Sequence, residues 1–479
     1  METQERNDIK RPHPLVAVVP VMVLIALLAV VIVLFGSDSL TGGSQVALLM
    51  GTAVCICISM AVYKVPWRRF EHHITETVGG VSVMLLILLC VGMISGTWMI
   101  SGIVPTLIYH GVQIMSPQFF LVSTCLICAL VSLLSGSSWT TIATIGVALV
   151  GIGDALGVSE AWTAGAIISG AYFGDKMSPL SDTTILASSA TGTDLFEHIR
   201  YMMYTTVPTF IITLIIFLFA GLGHGSEAEM QTEFYTEGLA RTFNISLWTL
   251  LVPVVTGVMI ARRMPSLVVL FLSSLMAGGM AVLLQPHILQ EIAGNDSLTC
   301  GLAITFYGAT HVDTGYEALN ELVSTGGMAG MLNTIWLILC AMCYGGAMVA
   351  SGMIGSLTQV IVSWVRSRLS LVSSTVGTGI FFNITTGDQF ISIVLNANMY
   401  KDVYRKQGYE SRLLSRTTED AATVTSVLIP WNSCGMTQST VLGVSTLTYL
   451  PYCFFNYLSP LMSILIAALG WKIKKLGTR

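Results

Sequence analysis

Gly174-Asp175-Lys176-Met177-Ser178-Pro179-Leu180-Ser181-Asp182-Thr183-Thr184 stands in the middle of an apolar stretch, residues 160–190. Two carboxylates, an ammonium and four hydroxyls interrupt an otherwise lipid-soluble run. Pro179 lacks an amide proton and clashes with the turn before it, so a helix breaks here. At membrane depth, backbone that leaves helical form survives only where protein or a water-filled cavity satisfies it. A carboxylate at the centre of a membrane helix costs about 2.5–3.5 kcal/mol on insertion scales. Charges kept at that cost point to ion or proton chemistry. The stretch predicts a broken helix in a membrane protein, with polar groups gathered at the break.

The rest of the chain fits that frame. Of its 479 residues, 53% are hydrophobic and only 10% charged, with a mean hydropathy of +0.76. A soluble domain carries about 25% charged residues, so the solvent of this chain is largely lipid. The first apolar run, 15–35, is long enough for a bilayer core of about 30 Å. It exceeds a signal-peptide core and has no small-residue cleavage site, so it is expected to be a retained span. About ten runs suit full spans: 15–36, 44–63, 79–99, 160–190, 204–222, 244–261, 265–284, 329–350, 418–445 and 454–471. Two more, 117–153 and 370–400, carry polar clusters at their midpoints and predict re-entrant hairpins. Residues 286–327 are expected to be an external or partly buried segment.

Charge placement orients these spans. With the N-terminus inside, the cytoplasmic segments hold every Lys and Arg of the 22 except Arg241 and Lys176. This is the positive-inside asymmetry of a cytoplasmic (inner) membrane protein with both termini cytoplasmic. The tails are 1–14 and 472–479. An external linker, 223–243, carries Glu227, Glu229, Glu233 and Glu237. The net charge of −4 singles out no partner, and no basic patch with interleaved aromatics points to nucleic acid. Ten cysteines scattered through apolar runs imply no disulfide framework. The pairs Cys125/Cys128 and Cys340/Cys343 lack neighbouring ligands and read as packing residues rather than a metal site.

The two halves echo one another. Gly96-Thr97-Trp98-Met99-Ile100-Ser101-Gly102 resembles Gly346-Ala347-Met348-Val349-Ala350-Ser351-Gly352, 250 residues on. Gly136-Ser137-Ser138-Trp139 matches Gly387-Asp388-Gln389-Phe390 at 251. Asp175 to Thr184 is set against Asn432 to Val441 at 257. Five spans per half is an odd number, so the halves point oppositely. The expectation is an all-α polytopic membrane protein built as an inverted repeat, 15–222 and 244–471, each with one re-entrant hairpin and one broken helix. Inverted repeats with sites at discontinuous helices are the design of secondary transporters. A membrane enzyme would need a nucleophile beside a base, and the sequence offers no convincing Ser/His or HExxH arrangement.

Four polar clusters supply the candidate ion or proton ligands. The first hairpin tip offers Ser137, Ser138 and Thr140, and the first break offers Asp175, Ser178, Asp182 and Thr183. The second tip offers Thr386, Asp388 and Gln389, and the second break offers Asn432, Ser433 and Gln438. Hydroxyls, amides and freed carbonyls are hard oxygen donors that suit a small cation. A lone serine or threonine in a membrane helix more often mediates packing, so the carboxylates carry the argument. Lys176 is read either as a salt-bridge partner of Asp175 or as an anchor for a substrate carboxylate. His198, in Asp194-Leu195-Phe196-Glu197-His198-Ile199-Arg200, is expected on an interfacial helix.

Gly96-Thr97-Trp98, Ser101 to Thr106, Ser135 to Trp139, the run Gly170 to Thr184 and Thr386-Gly387-Asp388-Gln389 resemble the NhaC family of sodium/proton antiporters. The resemblance covers nearly the whole chain. The chain departs from it where Gly-Asn-Glu and Arg-Gly-Gly are expected. It reads Thr314-Gly315-Tyr316-Glu317 and Ser324-Thr325-Gly326-Gly327 instead. The resemblance implies two re-entrant hairpins, elevator-type alternating access and a homodimer. It implies no cofactor, and sodium as a transported substrate. Asp182 with Asp388 or Asp175 would hold sodium in one facing state, and a proton would replace it in the other. Family relatives that exchange malate for sodium-coupled lactate make a carrier of small organic acids or amino acids the alternative.

Overall fold

The computed structural model describes residues 12–35, 42–222, 228–315, 317–473 and 475–476. Residues 1–11, Glu227, Tyr316, Lys474 and the last three residues lie outside these, as do the side chains of Glu229, Glu233 and Glu317. The described residues are helical apart from loops and two isolated antiparallel bridges, Thr310 with Thr325 and Tyr409 with Lys475. Eight helices are long and apolar enough to cross a membrane. The number reaches ten if two bent pairs each count as one span, Tyr235–Thr242 with Leu247–Ala261 and Thr446–Tyr452 with Phe454–Leu469. Their outer faces expose large apolar side chains such as Leu134, Ile211, Phe219, Val254 and Leu461. A surface of that kind is stable only against lipid. The chain is a multi-pass membrane protein.

Several boundaries differ from the sequence reading, each for a local reason. The expected interfacial helix at 194–200 is the start of one continuous helix, Leu195–Gly221. Asp194 caps it, accepting from the amides of Phe196 and Glu197 at 3.0 Å each. The last broken element begins at Ser411, not 418, because Ser411–Thr418 continues directly into a π-helical turn, Glu419–Thr423. Both arms of the expected first hairpin, Pro117–Ser135 and Ser138–Ala155, are as long as a span. The described residues of 286–327 are partly buried. Leu298–Tyr307 packs on Ser82–Ile100 so closely that a Cβ at Gly96 would strike the carbonyl of Thr305.

Helix ends recur with a fixed spacing. Gly102 and Gly352 start the helices Ile103–Ile114 and Met353–Ser363 with φ of 82° and 73°. Gly136 and Gly387 join two helix pairs with φ of 68° and 69°, a left-handed turn that favours glycine. Ser181 and Asn432 cap the helices Asp182–Thr191 and Ser433–Leu442, which end at Gly192 and Gly443. Every one of these pairs lies 250 or 251 residues apart. The helix starts and ends of the third block thus recur 251 residues apart, where the sequence comparison set the block at 257. Ser181 corresponds to Asn432, and the likeness of Ser181-Asp182-Thr183 to Gln438-Ser439-Thr440 is one of composition, not position.

One packing seam positions the site. Glu160–Met177 lies along Pro117–Ser135, and Cβ atoms at Gly170 and Gly174 would collide with the carbonyls of Cys125 and Ala129. Small residues four apart let two membrane helices touch backbone to backbone. That contact fixes the end of the helix where Asp175 and Lys176 sit.

Candidate ion site

The first helix pair turns at Gly136, and its tip packs on the break after Met177. A Cβ on Gly136 would come within 2.7 Å of Leu180. Ser137 caps the second arm, accepting from the Thr140 amide at 3.2 Å, and the Thr140 hydroxyl donates to it at 3.1 Å. The Ser138 amide and hydroxyl both donate to one carboxylate oxygen of Asp175, at 3.1 and 2.7 Å. Asp175 is 5% exposed. It therefore faces the positive amino end of Ser138–Ala155. Ser178 turns inward on its own loop and accepts from the Leu180 amide at 3.2 Å.

The second joint is built alike. Asp388, 1% exposed, caps Gln389–Lys406 by accepting from the Ile391 amide at 2.9 Å. Its other oxygen accepts from the Ser433 hydroxyl at 3.2 Å, while the Ser433 amide donates to the Gly387 carbonyl at 2.7 Å. Asn432 caps its own helix through the Cys434 amide and donates to the Asn383 carbonyl at 3.1 Å. Thr386 donates to the Phe382 carbonyl at 2.9 Å, and Gln389 accepts from Ser426 at 3.1 Å. Both polar atoms of the Gln438 side chain are buried with no protein partner among the described residues.

Asp182 stands apart from this assembly. It is exposed at the start of its helix, and no hydrogen bond joins it to Asp175, Asp388 or any other described residue. The expected pairing of Asp182 with Asp388 around sodium is not what the fold builds. Its neighbour Thr183 points inward instead. The Thr183 hydroxyl donates to Glu419 at 3.1 Å and shares a hydrogen bond with Ser181 at 2.9 Å.

Glu419, Asp420 and Arg416 are buried charged residues that the sequence reading did not include among its candidates. All three side chains are fully buried. Arg416 sits in the core, not among the cytoplasmic cations. Lys176, also fully buried, pairs with Asp420 and donates to Ser459 at 3.0 Å. Asp420 accepts further from Thr205 at 3.2 Å and Ser463 at 2.8 Å. The ammonium is thus spent on Asp420, neither paired with Asp175 nor free to anchor a substrate. Glu419 differs from its neighbour. One oxygen takes Thr183, and the other has no protein partner among the described residues. The π-helical turn carries both carboxylates inward, as such turns often do at functional sites. The signal in the sequence was the pair of adjacent carboxylates opening an apolar run at Glu419-Asp420.

The buried charges among the described residues are Lys176 and Arg416 against Asp175, Asp388, Glu419 and Asp420, with His198 in contact with Ser415. In number, two buried cationic side chains stand against four buried carboxyl groups among the described residues. Each carboxylate can hold either a metal cation or a proton, never both on the same oxygen.

The model of the Na+/H+ antiporter family matches residues 170–471, which take in all four of these carboxylates. The chain is 39% identical over 426 residues to the Na(+)/H(+) antiporter NhaC of Alkalihalophilus pseudofirmus, covering 88% of this chain and 90% of that protein. It is 34% identical over 403 residues to the Na(+)/H(+) antiporter NhaC of Bacillus subtilis, covering 84% and 87%. It is 33% identical over 407 residues to the malate-2H(+)/Na(+)-lactate antiporter of Bacillus subtilis, covering 84% and 85%. With the family model matching most of its length and relatives aligned almost end to end, the chain belongs to the NhaC family of Na+/H+ antiporters.

Proposed function

We propose that the chain exchanges sodium for protons across the cytoplasmic membrane by alternating access, with Glu419 as the carboxylate for which the two cations compete. One observation carries this reading. Among the buried described carboxylates, Glu419 is the one with a fully buried oxygen that no described protein group hydrogen-bonds. Asp420 is committed to Lys176 and three hydroxyls, while Asp175 and Asp388 face helix amino ends. An ionised Glu419 with the Thr183 oxygen offers the hard donors that sodium takes. A proton on the same oxygen removes the negative charge and releases the ion.

The recurrence of joints and breaks at 250–251 residues supports an inverted repeat, with halves 15–222 and 244–471 flanking an external linker, 223–243. The helix pairs 117–153 and 370–400 are the re-entrant hairpins of those halves. Together with the breaks they form the unit that moves between two facing states. Thr183 ties Glu419 to the first break, so movement of that break changes the ion's ligands. Both termini are cytoplasmic, and a homodimer is the assembly that the resemblance implies.

Everted membrane vesicles with a pH-sensitive dye test the exchange. Sodium or lithium alone should release the proton gradient, potassium should not, and Glu419→Gln should abolish the response. Silence towards every cation, with a response to sodium plus lactate or malate, would replace this reading with organic-acid transport.

A further inference from the structure

A cleft of about 600 Å³ opens where the apolar helix Leu195–Gly221 begins. Asp194, Glu197, Arg200, Tyr204 and Arg412 are among its walls. The Tyr204 ring meets the exposed Trp471 edge to face, with centroids 5.6 Å apart, and the Lys472 ammonium lies 5.7 Å from the Tyr204 centroid. Tyrosine and tryptophan gather at the level of lipid headgroups. Farther along, the same helix exposes Ile211, Ile215 and Phe219, as a lipid-facing helix does. The cleft is therefore at headgroup level, with water at its Asp194 end and hydrocarbon beyond Tyr204.

The charges of this cleft are sorted by depth. Arg412 faces two carboxylates, Glu197 at 2.9 Å and Glu410, so one negative charge is left over. Asp194 adds another, with one of its oxygens capping the helix. Arg200 is exposed, and its side chain makes no ion pair or hydrogen bond with a described residue. The Lys472 ammonium, over the Tyr204 ring, likewise has no carboxylate partner among the described residues. Two unspent cations and two surplus negative charges cancel in sum but not in place. Glu197 precedes Arg200 by three residues, about 4.5 Å nearer the water at 1.5 Å per residue. Asp194 is farther out, and Tyr204 with Lys472 is deeper. A simple anion would meet the carboxylates, and a simple cation would meet the guanidinium. A zwitterion with its negative group deeper than its positive group fits both.

We propose that the cleft binds the headgroup of an aminophospholipid, phosphatidylethanolamine. Its phosphodiester takes Arg200 and Lys472 in charge-assisted hydrogen bonds. Its ammonium donates to Asp194 and Glu197, and its acyl chains run along the helix past Met203 and Ile211, both exposed. The ethanolamine arm carries the ammonium outward from the phosphate, in the order in which the charges follow one another on the helix. Phosphatidylglycerol has no positive group for the carboxylates. The methylated ammonium of phosphatidylcholine has no N–H to donate to them.

Native mass spectrometry of the full-length protein in detergent tests this, with dioleoyl phosphatidylethanolamine, phosphatidylglycerol or phosphatidylcholine added singly. The wild type should hold one phosphatidylethanolamine at about tenfold lower concentration than either other lipid, the worth of one charge-assisted hydrogen bond. Arg200→Gln should weaken that binding about tenfold, and Glu197→Gln should narrow the gap to phosphatidylcholine. Equal retention of all three lipids, a preference for phosphatidylglycerol, or binding unchanged in Arg200→Gln would overturn the site. Displacement by an equal concentration of glycerophosphoethanolamine would assign the cleft to a soluble zwitterion and refute the lipid. A lipid-free dimer as the sole species would give the cleft to a second copy of the chain and refute it too. If either variant does not fold, the wild-type order of the three lipids decides.

Discussion

At the first joint the carboxylate comes from the broken helix, and at the second it comes from the tip. Asp175 reaches across to the Ser138 amide, whereas Asp388 caps its own helix and takes the Ser433 hydroxyl from the break. The donor and acceptor have changed places between halves, but the joint is the same: one carboxylate, one serine, one helix amino end. The comparison teaches that these two aspartates have a local structural task in both halves. Glu419 has no counterpart of that kind. Its position 251 residues earlier is Ile168, in the apolar middle of Glu160–Met177. The unmatched carboxylate is the one whose fully buried oxygen has no described protein partner, so under the proposed exchange it is the difference between the two regions, not their likeness, that points to Glu419.

The largest effect is expected where a buried pair is split. Asp420→Ala strands Lys176 and should cost about 3–5 kcal/mol, seen as a collapse of the melting temperature in detergent. The double change Lys176→Met with Asp420→Leu should recover most of that loss. If the single variant melts like the wild type, Asp420 is not the structural partner described here. Next come the joints. Asp388→Asn and Asp175→Asn each remove charge-assisted hydrogen bonds and should cost about 1.5–3 kcal/mol, with similar losses in both halves. A variant that abolishes sodium exchange without any loss of stability would move that aspartate from the joint to the ion.

Smaller effects separate the two tips. Gly136→Ala and Gly387→Ala both meet the left-handed penalty of about 1–2 kcal/mol. At Gly136 the new Cβ also meets Leu180 at 2.7 Å, while at Gly387 the nearest neighbour is the Ala341 Cβ at 3.1 Å. Gly136→Ala should therefore melt lower. Equal melting would mean that the first tip has more room than its geometry allows. Smallest of all, Asp182→Asn should change the sodium response and the melting temperature little, because Asp182 is exposed and unbonded. Abolished exchange in that variant would restore Asp182 as a ligand.

Much of this was legible in the sequence. Pro179 and the glycines at 136 and 387 announce breaks and turns through backbone chemistry alone, and the polar clusters beside them are the joints. What sequence could not give is burial that depends on distant partners. Lys176 and Asp420 are 244 residues apart, and only the packing of Leu195–Gly221 and Phe454–Leu469 around them closes the pocket. Arg416, Glu419 and Asp420 sit where an apolar run begins among other charges, which is also how an interfacial segment looks. His198, beside Glu197 and Arg200, is hidden by the same ambiguity. Asp182 misled in the other direction, because a carboxylate next to a break need not face it.

The most direct measurement is proton release on sodium binding to the purified protein in weakly buffered solution. The wild type should release protons saturably as sodium is added, and Glu419→Gln, folded and monodisperse, should release none. Undiminished release from Glu419→Gln, or sodium binding to the wild type without any proton release, would contradict competition at Glu419.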